Sequence, residues 1–226
     1  IVAPLGGLRP AGTVLVATAK TLRAHGDDNL ARHVEIVRAF GLEPVVAVNR
    51  FPGDTDADVA FVADAARDAG ARWVAECAAF EEGGAGAEAL AEAVVEACAE
   101  PQSPRPTYEP EAPLEAKIVA VATQVYGAAD VHLEPAAHAA IDRLTAEGLG
   151  HLPVVMAKTH LSLSHDPLLG ASPRDFVLPV RDVQAYTGAG WVVALCGAMM
   201  TMPGLGKEPA ALRVDLGPDG RIVGLF

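Results

Sequence analysis

The sequence predicts an α/β fold: a mostly parallel sheet with helices on both faces, followed by a smaller α+β C-terminal part. Three observations carry this. Short valine-rich runs recur and end in loops bearing glycine or proline, as strands covered on both faces do. Between them, apolar residues fall at i, i+4 and i+7, the stripe of an amphipathic helix. Five prolines between Pro101 and Pro113 then interrupt the pattern, because proline removes a backbone donor and fixes φ. The expected organisation is strand–helix repeats over 1–100, a linker or surface crossing over 101–113, and an α+β part over 114–226.

Thr13 to Thr18 reads as a buried strand after the turn at Pro10-Ala11-Gly12. Ala19 to His25 leaves it as a basic stretch carrying Lys20, Arg23 and His25, and Gly26 to Asn29 stops one element and caps the next. Leu30, Val34, Val37 and Phe40 mark a helix over 30–40, stopped by Gly41. Val45 to Val48 is a second strand, which completes a βαβ unit. Asp56 to Ala69 is a helix, Arg72 to Ala78 a short strand, and Ala87 to Glu100 a helix with Leu90, Val94 and Cys98 on one face. Beyond the prolines, helices are expected over 114–126 and 135–147, with Pro135 in a tolerated first turn. Strands are expected over 128–133, 151–159, 176–180, 182–186 and 191–195. Arg213 to Phe226 reads as a hairpin around Pro218-Asp219-Gly220.

In an open α/β sheet, ligands lie at the carboxyl ends of the strands. Two loops leave such ends. Asn49-Arg50-Phe51-Pro52-Gly53-Asp54 delivers an amide, a guanidinium and an aromatic ring. Phe80-Glu81-Glu82-Gly83-Gly84-Ala85-Gly86 delivers a second ring and a backbone lacking Cβ atoms. If Phe51 and Phe80 face each other they clamp a flat ring, each stack being worth about 1–3 kcal/mol. The plainer reading makes both rings core residues and has Asn49 and Arg50 satisfy the turn. Gly83, Gly84 and Gly86 precede a helix and offer amides to an anion, but Glu81 and Glu82 oppose that, which leaves a neutral ligand edge or a simple helix cap.

The totals exclude several classes. A net charge of -12 speaks against a nucleic-acid surface, which needs clustered Lys and Arg. No run of about 18 uncharged apolar residues occurs, so no membrane span is expected. The three cysteines, Cys77, Cys98 and Cys196, lack CxxC spacing and read as reduced core residues of a cytoplasmic protein. No metal motif and no GxSxG elbow is present, and no catalytic residue is assigned. Gly204-Leu205-Gly206-Lys207-Glu208 fails as a phosphate loop, because Glu208 stands where GxxxxGK[ST] needs a hydroxyl. The chain opens on Ile1 rather than Met, which suggests a processed product or part of a longer protein.

Several blocks, in order, resemble formate–tetrahydrofolate ligase, also called 10-formyltetrahydrofolate synthetase. They are Val16-Ala17-Thr18 through His25-Gly26, Asn29 to His33, Val45 to Thr55, Gly83 to Gly86, Gly148 to Thr159 with Ser162, Ser164 and Asp166-Pro167, Gly188-Ala189-Gly190, Met200 to Leu205, and the ending Gly224-Leu225-Phe226. The resemblance is to the C-terminal portion of that family. It implies an ATP-dependent ligase of one-carbon metabolism that joins formate to tetrahydrofolate through formyl phosphate, with Mg2+ and a monovalent cation, as a cytoplasmic homotetramer. It implies that Phe51 and Phe80 sandwich the folate ring, and that Asn49, Arg50, Pro52 and the glycine loop border the folate and nucleotide pocket.

The chain departs from the family pattern at Phe80, where tryptophan is usual, at Lys20 and Arg23, whose basic types are exchanged, at Asp27 in place of glycine, and at Gly206 in place of proline. The family's phosphate loop lies upstream of any residue here. The isolated chain is therefore expected to be inactive. The alternative is a non-catalytic folate- or nucleotide-binding module.

Overall fold

The computed structural model describes residues 6–199, 209–218 and 222–224. The first part is a three-stranded sheet, β1 (Thr13–Ala17), β2 (Pro44–Asn49) and β3 (Trp73–Cys77), in the order β1-β2-β3 and parallel throughout. The register pairs Ala17 with Val48 and Asn49 with Cys77, so the three strands end side by side.

Helices cover both faces. On one side Val46 and Val48 pack with Leu22 of α1 (Ala19–His25), Leu30 and Val34 of α2 (Asp27–Ala39) and Val62 of α3 (Asp56–Asp68). On the other, Val45 and Trp73 meet Ala97, Leu90 and Val94 of α5 (Glu88–Ala99). Alternation along β2 sends successive valines to opposite faces, which is why it reads as a continuous apolar run. β1 differs from expectation. It is an edge strand, and Val14 and Val16 are exposed on the α5 side, where among the described residues no helix reaches them.

The proline-rich stretch is a pinned crossing. Ser103 N donates to Gly41 O, Arg105 N to Phe40 O and Glu43 N to the Gln102 side chain. Gly41 has φ +77°, and a Cβ there would fall 1.9 Å from the Ser103 carbonyl oxygen, so it fixes the crossing as well as stopping α2.

The second part is a mixed sheet of order β4-β6-β7-β5, from β4 (Asp130–Leu133), β5 (Val154–Ala157), β6 (Val177–Tyr186) and β7 (Trp191–Cys196). β4–β6 and β5–β7 are parallel and β6–β7 antiparallel. Its core joins Ile118 of α6 (Leu114–Gln124), Ile141 and Leu144 of α7 (Pro135–Ala146), and Leu178, Val180 and Val192. The two strands expected over 176–186 are one, with a bulge between Val180 and Asp182. The extra residue turns Arg181 to donate to Met199 O. At the C-terminus β8 (Asp215–Leu216) pairs antiparallel with β9 (Ile222–Val223). Met200 to Glu208, the turn at Asp219-Gly220 and the ending Leu225-Phe226 lie outside the described residues.

Lys117 was not anticipated. It is fully buried, and its Nζ donates to the carbonyls of Gly150, His151 and Leu152 at 3.2, 3.0 and 3.0 Å. Three donors meet three acceptors, so the ammonium clasps the approach to β5 to α6, and among the described residues no carboxylate lies in ion-pair contact with it, although the charge of Glu111 favours it.

The two parts meet along α2. Asn29 Nδ2 donates to Ser172 Oγ at 2.8 Å and Arg32 Nη2 to Val125 O at 3.2 Å. Arg32 and Arg174 both donate to Glu35 Oε2, at 2.8 and 2.7 Å. The Arg174 hydrogen bond, helped by Arg32, holds the Glu35 carboxyl below the usual glutamate range against a smaller opposing effect of burial.

Candidate active-site edge

Because β2 and β3 end in register, Phe51 and Phe80 leave adjacent strands, about 5 Å apart at their ends. Neither ring belongs to the core: Phe51 is 48% exposed and Phe80 82%. The rings do not touch one another.

The first loop is closed by its own polar groups. Phe51 N donates to Asp54 Oδ2 at 2.9 Å, and Asp54 N returns to Phe51 O at 2.9 Å. Gly53 takes φ +94°, which only glycine adopts cheaply. Pro52 is exposed at the tip. Asn49, the last residue of β2, is half-buried beside Cys77.

Arg50 is held by three acceptors of its own surroundings. Its Nη1 donates to Glu76 Oε1 at 2.9 Å, and its Nη2 to Asp56 Oδ1 at 2.8 Å and Asp54 O at 3.2 Å. The guanidinium ties the loop to β3 and to the start of α3. One signal for this stood in the sequence: Glu76 is the single carboxylate in the strand Trp73-Val74-Ala75-Glu76-Cys77.

The start of α3 completes the frame. Thr55 and Asp58 cap each other reciprocally, and Arg23 of α1 also bonds Asp58. The Thr55 hydrogen bonds, then Arg23, hold the Asp58 carboxyl well below the usual aspartate range.

The second loop is not open coil. Ala79–Glu82 forms one helical turn, α4, and Ala85–Ala87 a 3-10 turn that leads into α5. Ala, Phe and Glu tolerate the helical turn until Gly83, at φ +62°, ends it. A Cβ on Gly83 or Gly84 would meet nothing within 4 Å. Gly86 is packed against the end of β3. A Cβ there would lie 2.6 Å from the Ala78 carbonyl carbon, and Ala78 N donates to Gly86 O at 2.8 Å. Gly86 closes the loop on its own strand.

Beside these loops, where β1 ends, is a cavity of about 320 Å3. Its walls include His25 and His33, Thr21 and the stretch Lys158–Leu163. Lys158 was expected at the end of a strand and stands there, one residue past β5. Its Nζ donates to the carbonyls of Thr159 and Ser162 and lies 4.8 Å above the Tyr126 ring. Burial lowers its pKa from the usual lysine value. Burial also pushes the neighbouring Cys196 thiol up to about 12, so that sulfur is no nucleophile. Of the other cysteines, expected in the core, Cys77 is half-buried and Cys98 exposed.

Among the described residues no group of three or more His, Cys, Asp or Glu is arranged to hold a metal ion, and no helix is long and apolar enough to cross a membrane.

Comparison with known proteins matches the whole chain to a family. The family model for formate–tetrahydrofolate ligase matches residues 1–226. A formate–tetrahydrofolate ligase of Cutibacterium acnes is 43% identical over 98% of this chain and 44% of its own length. One from Saccharopolyspora erythraea is 44% identical over 97% of this chain and 43% of its own. One from Paracoccus denitrificans is 43% identical over 98% and 43%. The chain thus spans less than half the length of these relatives. Over its whole length, the chain belongs to the formate–tetrahydrofolate ligase family.

Proposed function

We propose that residues 1–226 supply the folate-binding part of an ATP-dependent ligase that makes 10-formyltetrahydrofolate from formate and tetrahydrofolate. The observation that supports this most is the pair of exposed rings, Phe51 and Phe80, on adjacent strand ends. Single exposed apolar side chains are ordinary, but two rings exposed together on adjacent strand ends make a patch of the kind that marks a binding site. A flat pterin between them would bury both faces. The frame of Asp54, Arg50, Glu76 and Asp56 would hold Phe51 ready before the ligand arrives, which lowers the ordering cost of binding.

The chemistry has two steps. A formate oxygen attacks the γ-phosphorus of ATP, ADP leaves and formyl phosphate forms. The N10 amine of tetrahydrofolate then attacks the formyl carbon. The C–O bond breaks, phosphate departs with its electrons, and the amine proton is lost. The first step needs a phosphate cradle and a Mg2+ site. These residues offer neither a GxxxxGK[ST] loop nor, among those described, a metal-ligand cluster. Formyl phosphate synthesis falls to residues beyond these, and the working enzyme is on this reading a cytoplasmic homotetramer. A non-catalytic folate-binding module is the second reading, favoured by the lack of a phosphate loop.

Calorimetric titration of the chain with tetrahydrofolate tests the proposal. Saturable binding that weakens about 5- to 150-fold in Phe51→Ala, the worth of one stacked ring, supports the clamp. Unchanged affinity removes it. ATP- and formate-dependent product formation by this chain alone would overturn the assignment of the first step.

A further inference from the structure

We infer that the joint between the two parts is a two-position hinge, turning at Pro106-Thr107 and latched shut by Glu35 between Arg32 and Arg174. Each part has apolar cores of its own. One core lies within residues 114–196 and the others within 15–97, and among the described residues none of these clusters bridges the joint. No described helix or strand of one part packs along one of the other. Parts that meet over a small, polar interface move relative to one another by default.

The covalent connection sets the pivot. Ser103 N, Arg105 N and Arg105 Nε donate to the carbonyls of Gly41, Phe40 and Ala39 at 3.1, 2.9 and 3.0 Å, which ties the crossing to the first part as far as Arg105. Tyr108 Oη accepts from Val154 N at 2.9 Å, so Tyr108 is tied to the second part. Only Pro106 and Thr107 stand between these anchors, and a hinge needs no more than a few such residues. The first anchors lie at the C-terminal end of α2. Along that helix Glu35 is about 6 Å from Ala39 and Asn29 about 15 Å. Rotation at Pro106-Thr107 therefore moves the parts least beside Ala39 and most beside Asn29. There Thr21, His25 and His33 of one part face Lys158 and Leu163 of the other.

The latch is closed under strain. Glu35 Oε2 accepts from Arg32 at 2.8 Å on its own helix and from Arg174 at 2.7 Å across the joint. Arg32 is buried, and its Nε has no acceptor among the described residues. Asp175, next to Arg174, has φ +59°, the one positive φ outside glycine among the described residues. An orphaned donor and a strained backbone both cost stability, and both sit where the parts meet. Opening gives Arg32 Nε to water and lets Asp175 relax. It gives up the bonds from Arg174 to Glu35, Asn29 to Ser172 and Arg32 to Val125. Both sides of that exchange are small, as two positions of similar free energy require. Phe51 and Phe80 both lie in the first part, so the hinge stands apart from the clamp.

Distances between spin labels test this without any ligand. Labels on Ala60→Cys and Leu168→Cys, both exposed and one in each part, report on the joint. Cys77→Ser and Cys98→Ser remove the other accessible thiols. Double electron–electron resonance should give a main distance and a longer minor one. Glu35→Gln and, separately, Arg174→Gln should raise the longer population up to about fivefold, the scale of one solvent-exposed ion pair. High salt should raise it in the parent, because the latch is half-exposed. The Arg174 side chain is 55% exposed and belongs to no core cluster, so its variant keeps the fold if Glu35→Gln disturbs it. A longer distance confined to the variants supports the hinge equally. One distance, the same in the parent, in both variants and in high salt, would overturn the hinge. A longer population that neither variant nor salt changes would overturn Glu35 as its latch.

Discussion

Arg50 Nη1 lies 2.9 Å from Glu76 Oε1, which joins the loop after β2 to the end of β3. Exposed ion pairs contribute little stability, about 0–1 kcal/mol. The contact therefore matters for where Phe51 stands rather than for whether the chain folds. Arg50→Lys should leave the thermal midpoint within a few degrees and weaken tetrahydrofolate binding about 2- to 12-fold, the cost of ordering one side chain. Calorimetry beside a melting curve checks this, and a large drop in midpoint with unchanged affinity would contradict it.

Phe80→Trp should tighten folate binding by a few-fold, because the indole adds stacking area and an N–H donor. It also places a fluorophore at the clamp. Trp73 and Trp191 open β3 and β7 at their amino ends, away from the loops, and report poorly on that edge. Unchanged affinity in the variant would show that ring size at residue 80 is immaterial.

Lys117→Met should cost about 3–5 kcal/mol in a urea unfolding curve. It leaves three buried carbonyls without their donor, and each buried orphan costs about 1–3 kcal/mol. A loss under about 1 kcal/mol would mean that water replaces the ammonium.

Glu35 gives a pH signature. Its folded pKa lies below the unfolded value, so its contribution is complete above the ordinary glutamate range near pH 4.3. It disappears as pH falls through the lower folded value. Melting curves of the parent and Glu35→Gln should separate at neutral pH and converge in acid. A gap that stays constant down to the lowest pH at which the chain is folded would rule this out.

Cysteine labelling separates the three thiols. With a pKa of about 12, Cys196 is thiolate in about one molecule in ten thousand at pH 8. An alkylating probe should modify exposed Cys98 readily and Cys196 only after unfolding, as mass spectrometry of digests would show.

Much of this was legible because apolar periodicity reports burial. The run Val45 to Val48 identified a central strand, and its abrupt end at Asn49 identified the loop carrying Phe51. The outward position of Phe80 was legible only as one of two readings, since a phenylalanine after a strand suits a core or a ligand equally. Three features carry no local signal. Lys117 finds acceptors over thirty residues away. Arg32 and Arg174 converge on Glu35 across the two parts. Gly86, one of three glycines read as a ligand edge or a helix cap, packs on Ala78. Each is decided by how elements meet in space, which spacing along the chain does not encode.

β1 ends the sheet with its outer row of amides and carbonyls unpaired by any described strand, and Val14 and Val16 stand bare beside that row. Such a border is a template: an extended segment can add to it in parallel, whether from elsewhere in a longer protein or from a neighbouring molecule. For these residues studied by themselves, that one five-residue strand is a place where molecules could join edge to edge, a tendency that the charge of -12 opposes.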